Sequence, residues 1–184
     1  MTHRPLVFLD IETTGGTPLN SRVLEIGALR MENNTIVDTF SQLIQPEQQV
    51  PWWITKLTGI TDEMVWDAPT FQGVASSLEL FLSDAIFVAH NVNFDYGFIK
   101  AEFERIGGSF TMDRLCTVKL SRALYPKQKR HNLDSVIEAH NIQVESRHRA
   151  LDDAKVMVEF FKKSLQEHGL NTYVAIDKLT TRSR

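Results

Sequence analysis

Residues 6–9, Leu-Val-Phe-Leu, form an unbroken apolar run, and two carboxylates, Asp10 and Glu12, stand directly at its end. The stretch 5–11 reads as a buried strand. Residues two apart in a strand share a face at a spacing of about 6.6 Å, so Asp10 and Glu12 project side by side. Two like charges in a partly buried place repel each other and lose hydration. A divalent cation held by hard oxygen ligands offsets both costs. D-x-E alone also fits a solvated strand-to-loop turn, with Gly15-Gly16 as its punctuation.

Residues 22–31 and 35–44 read as two further β segments, joined through "ENN" as a hairpin turn. The two prolines in 45–51 mark a loop, and "ITKLTGITDEMV" reads as two short helices around a Gly-containing turn, with Thr61 as an N-cap. Apolar spacing predicts a helix over 70–82, a strand at 85–90 and a helix over 93–106 stopped by Gly107-Gly108. "MDRLCTV" reads as a short strand and "KLSRAL" as helical. Helices follow at 132–140 and 150–167, and a final helix precedes the polar tail "TTRSR". This order predicts one α/β domain, 1–184, with a mixed sheet and a core over about 5–167.

Composition narrows the class without naming a function. Hydrophobic residues make up 42% and charged residues 23% of the 184, an ordinary globular profile. The lone cysteine, Cys116, excludes an intramolecular disulfide and suits a reducing cytosol. No apolar run approaches the roughly 20 residues of a membrane span, and the four apolar residues before Asp10 are too few for a signal peptide. A cytoplasmic location with no membrane partner is expected. The net charge of −3 does not suggest a protein that wraps duplex DNA. It is compatible with an enzyme that grips a few nucleotides and borrows positive charge from metal ions.

Two later segments add chemistry. "HNVNFDYGFI", 90–99, puts Asp95 in the first turn of a helix that follows a strand, where active sites of open α/β sheets gather. Taken singly, Asp95 reads as a carboxylate stabilising a helix N-terminus. "HRALDDAKVMVEFF", 148–161, puts His148 just outside a helix and Asp153 in its first turn, so both can reach one small volume. Four carboxylates and one histidine, each at an element boundary, make a constellation that none of them makes alone.

In these motifs the chain resembles the DEDDh, or DnaQ-like, family of 3′–5′ exonucleases, which includes the proofreading epsilon subunit of bacterial DNA polymerase III. D-x-E in "FLDIETTG", "HNVNFD" and H-x4-D in "HRALDD" occur in the family order, and the resemblance spans about 5–165. The sister subclass has tyrosine four residues before the last aspartate; here that position is Arg149, and His148 sits five before Asp153. The resemblance implies a ribonuclease H-like fold, a five-stranded mixed sheet flanked by helices. It also implies that Asp10, Glu12, Asp95 and Asp153 hold two Mg²⁺ or Mn²⁺ ions, with His148 taking a proton from the attacking water. Two cations roughly 4 Å apart suit in-line hydrolysis of a phosphodiester, and an imidazole is neutral above its ordinary titration range near pH 6.5.

By the same resemblance, Thr13, Leu57, Thr58, His90, Asn91 and Phe94 would contact the terminal nucleotide. The basic run "KQKRH", 127–131, with Lys119 and Arg122, is the backbone-gripping candidate. The implied partner is a nucleic acid with a free 3′ end, single-stranded or frayed DNA first, and a DNA polymerase beside it. An exoribonuclease of the RNase T or oligoribonuclease type is the alternative, and a non-catalytic nucleic-acid-binding scaffold a third reading. Thr13-Thr14 after Glu12 favours the DNA branch. The chain stops at Arg184, so a stand-alone enzyme, or one docking by its own surface, is expected. Of Trp52, Trp53 and Trp66, at least two are expected to be buried.

Overall fold

The computed structural model describes residues 4–183. Its centre is a five-stranded mixed sheet in the order β3-β2-β1-β4-β5. The strands are β1 (Leu6–Thr13), β2 (Val23–Glu32), β3 (Thr35–Leu43), β4 (Ile86–Ala89) and β5 (Arg114–Cys116). β1 pairs antiparallel with β2 and parallel with β4, and β5 extends the parallel half. The β2–β3 hairpin turns at Asn33 and Asn34, with φ of 48° and 65°. Two successive left-handed residues make the tight turn that matches strand twist, and asparagine tolerates them.

Among the described residues, eight helices surround the sheet: α1 (Trp52–Thr58), α2 (Asp62–Trp66), α3 (Phe71–Leu82), α4 (Asn93–Arg105), α5 (Thr117–Leu124), α6 (Leu133–His140), α7 (Ala150–His168) and α8 (Leu170–Leu179). The alternation along β1 explains their placing. Val7, Leu9 and Ile11 point to one layer, packing with Phe71 and Leu78 of α3 and Phe98 and Phe103 of α4. Leu6 and Phe8 point to the other, with Met157 and Phe161 of α7 and Ile176 of α8. Asp10 and Glu12 continue this second face beyond the apolar run, towards the start of α7.

Most element boundaries fall within two residues of those read from the sequence. The junction after β5 shifts by that full margin: Thr117 and Val118 belong to α5, not to the preceding strand. β5 pairs over only three residues, and the chain turns helical as soon as that pairing ends. The tryptophans are a correction. Trp52, Trp53 and Trp66 are 71%, 55% and 77% exposed, because the small core under α1 and α2 is filled by Leu24, Val50, Ile60 and Val65. Among the described residues, no helix is long and apolar enough to cross a membrane.

Candidate active site

The site lies where β1 ends. Asp10 pairs in register with Gly27 of β2, and Glu12 with Glu25, before a bulge shifts the register at Thr13. Bulges re-aim a strand at the point where pairing ends. Asp95, in the first turn of α4, is buried, and so is Asp153, in the first turn of α7. Glu12, His148 and Asp153 each offer a ligand atom, and all three atoms lie within 4.8 Å of one another. Asp10 belongs to the same group electrostatically, since it is repelled by Asp95, Asp153 and Glu12.

Burial and mutual repulsion hold these acids far from their ordinary state. Burial first, then the neighbouring carboxylates, raise Asp10 well above the usual range. Glu12 is pushed from 4.5 up to about 8, by burial and then by Asp153 and Glu25. Asp95 rises from 3.8 to about 8 through burial, against the pull of backbone N–H groups of its own residue and of Ile11. Asp153 is raised by burial, opposed by Arg147 and His148. Arg147 offsets part of this repulsion, and the half-buried to buried acids are still left short of positive charge. Hard oxygen donors with one imidazole beside them suit a divalent cation of the Mg²⁺ or Mn²⁺ kind.

His148 has φ of 61°, a left-handed conformation that costs a non-glycine residue about 1–3 kcal/mol and recurs at active sites. Its neighbours hold it there. Arg147 bridges two acids, ion-pairing with Asp153 and with Asp134 at 2.9 Å. Arg149 grips the buried Glu25 with Nη2 and Nε at 2.7–3.2 Å, and Glu25 also accepts from the Ala150 N–H at 2.9 Å. Two residues along, Gly27 leaves room for the first turn of α7. A Cβ there would sit 2.1 Å from the Leu151 nitrogen and 2.3 Å from the Ala150 carbonyl carbon. β2 therefore docks the start of α7 at the two residues that face Glu12 and Asp10 across the ladder.

The anchoring roles of Glu25, Gly27, Arg147 and Arg149 lie outside the sequence expectations. A carboxylate inside the apolar strand "VLEIGAL" was the available signal, since such a group needs a partner. The expected nucleotide contacts divide. Leu57 is 52% and Phe94 37% exposed, and Asn91 is also exposed. The Thr13 hydroxyl donates to the Gly15 carbonyl at 2.8 Å. The Thr58 hydroxyl donates to Ile54 at 2.9 Å and accepts from the Ile60 N–H. His90 is partly buried with Nδ1 2.9 Å from the Thr117 hydroxyl, and burial lowers it to about 4.

A mixed sheet with acids gathered at the end of its central strand, and a histidine one turn before the last of them, defines a nuclease of the DEDDh type. Comparison with known proteins agrees. The chain belongs to the family described as Exonuclease, whose model matches residues 7–161. It is 40% identical over 176 residues to a PolC-type DNA polymerase III of Caldanaerobacter subterraneus subsp. tengcongensis, covering 94% of this chain but only 13% of that relative. Among solved structures, the nuclease domain of 3′hExo, a DEDDh family member bound to rAMP, superposes with a TM-score of 0.78 at 20% identity, covering 91% of this chain and 94% of that one. Exonuclease X in complex with 5′ overhanging duplex DNA superposes at 0.74 and 22%, covering 94% and 98%. At such identities these neighbours share the ribonuclease H-like fold.

Proposed function

We propose that the chain hydrolyses single-stranded or frayed DNA from its 3′ end, releasing nucleoside 5′-monophosphates with the help of two Mg²⁺ or Mn²⁺ ions. The observation that carries this reading is the meeting of Asp10, Glu12, Asp95 and Asp153 beside His148 at one strand end. Those four carboxylates would hold the metal. When bound, it would supply Lewis-acid activation of water and neutralise charge developing at phosphorus.

The protein's own side chains do the rest. His148 would accept the proton of the attacking water, and the Glu25–Arg149 pair fixes the backbone that presents its ring. Arg147, fastened to Asp134 and Asp153, steadies the same segment. Exposed Leu57 and Phe94 offer apolar surface to the terminal base. The PolC-type relative supports association with a DNA polymerase. The lone, buried Cys116 supports a cytoplasmic location.

Matched 5′-labelled DNA and RNA oligonucleotides, digested with Mg²⁺ or Mn²⁺, test the reading. A ladder shortening from the 3′ end, faster on DNA and abolished by chelator, is expected. Shortening from the 5′ end, or digestion in chelator, would refute it, and faster RNA digestion would reassign the sugar.

A further inference from the structure

Among the described residues, two sets of surface cavities contrast with each other. Those around α1 and α2, of about 660 and 390 Å³, are bordered by the exposed tryptophans and by Asp62 and Glu63. The other pair, of about 510 and 230 Å³, lies between the start of α4, the β5 edge and the segment after α8. These two share Asn93, Arg114 and Thr181, so they form one groove. Its walls carry Lys100, Arg114, Lys119 and Arg182, and among the described residues no Asp or Glu lines it. Acids outnumber bases in the chain as a whole, 23 to 20, so four cations without a lining carboxylate is a local concentration of charge.

Its position matters as much as its charge. One end opens at Asn91, directly after His90, in the loop that delivers Asp95 to the active site. Two acids stand beside it: Asp113, buried and already bonded to Arg4, Arg182 and Ser183, and exposed Glu104, which pairs with Lys100 at 3.7 Å, so Arg114 and Lys119 carry the unneutralised charge. Arg114 lies over the Tyr96 ring at 4.5 Å, which holds the guanidinium in place along the groove.

We infer that this groove binds the phosphodiester backbone of the single strand whose 3′ end occupies the active site. The inference rests on the nuclease reading for the identity of the strand, and on charge and continuity for the path. A protein of net charge −3 gains affinity for a polyanion by concentrating cations along one track beside the reacting end. Of the cations picked from the sequence, Lys119 lines this track; Arg122 and the run 127–131 do not. Lys100, Arg114 and Arg182 come from segments distant in sequence.

The test uses fluorescence anisotropy of a labelled oligothymidylate in EDTA, alongside turnover of the p-nitrophenyl ester of thymidine 5′-monophosphate with Mn²⁺. The ester reaches only the catalytic centre. The double variant Lys100→Gln/Lys119→Gln and the single Arg114→Gln remove charge from solvent-facing or half-buried positions. The double variant is expected to weaken oligonucleotide binding by about tenfold. Its log–log salt dependence should become shallower by about 0.7 per charge removed, with ester turnover unchanged. Unaltered binding and salt slope in the variants would overturn the groove, as would an equal loss of ester turnover, which would assign these side chains to the reacting centre. If the parent binds the oligonucleotide through these residues yet does not digest it, the nuclease reading fails and the groove stands. If it digests DNA while the variants bind normally, the reverse holds.

Discussion

Glu12 and Glu25 face each other across the β1–β2 ladder, yet their surroundings are opposite. Glu25 is enclosed by the Arg149 guanidinium and the Ala150 N–H, so each of its oxygens has partners. Glu12, one strand away, is pushed up to about 8 by burial and by acids, Glu25 among them. A buried carboxylate that is fully bonded serves as an anchor, whereas one left short of positive charge is poised to accept it from outside. β2 therefore carries the scaffold and β1 the acids of the proposed chemistry, at directly opposed positions.

Substitutions can break that contrast, beginning with the largest effect. Asp10→Asn should lower hydrolysis by roughly 1,000-fold, the equivalent of several kcal/mol of transition-state stabilisation, while the melting temperature in chelator stays level or rises. Single-turnover assays beside thermal melts check both halves. On the scaffold side, Gly27→Ala puts a methyl group into the backbone of α7. It should cost about 3 kcal/mol or more in urea denaturation, since neither backbone can give way locally.

Glu25→Gln should be milder. It leaves Arg149, itself 40% exposed along its side chain, without its counter-charge. A loss of about 1–2 kcal/mol is expected, discounted for that exposure. kcat should fall about tenfold as His148 loses its fixed position, with KM little changed; a selective rise in KM would detach Glu25 from the histidine segment.

The smallest effect concerns pH. Glu12 and Asp95 titrate near 4 in an unfolded chain but near 8 in the fold. Between those values the folded state binds more protons than the unfolded one, so the metal-free protein loses stability as pH rises from about 4.5 to about 8. Glu12→Gln should flatten that decline and raise the melting temperature in chelator by a few degrees near pH 8. Melts across this range that show stability rising for the parent would contradict the sign.

The fold, and the gathering of the candidate acids at one strand end, were legible because both are written in short-range pattern. The apolar run ending at Asp10, the 3.6-residue spacing of α3 and α7, and the acids at element boundaries need no knowledge of distant contacts. What escaped is non-local. Glu25 and Arg149 lie 124 positions apart, and only the packing of α7 on β2 joins them. Gly27 reads as a weak spot in a strand until the helix above it is seen. Trp52, Trp53 and Trp66 were misjudged because aromatic character favours burial on average, while α1 and α2 are too short to cover three indoles with the small core beneath them.

The last segment of the chain has a consequence of its own. Thr181 bonds to Arg114 in both directions, at 3.0 and 2.8 Å, laying a single antiparallel rung along the outer side of β5. An outermost strand with free N–H and C=O groups invites pairing with another molecule. Shortening the chain to end before Thr180 would uncover that template, and the first symptom would be self-association at high protein concentration.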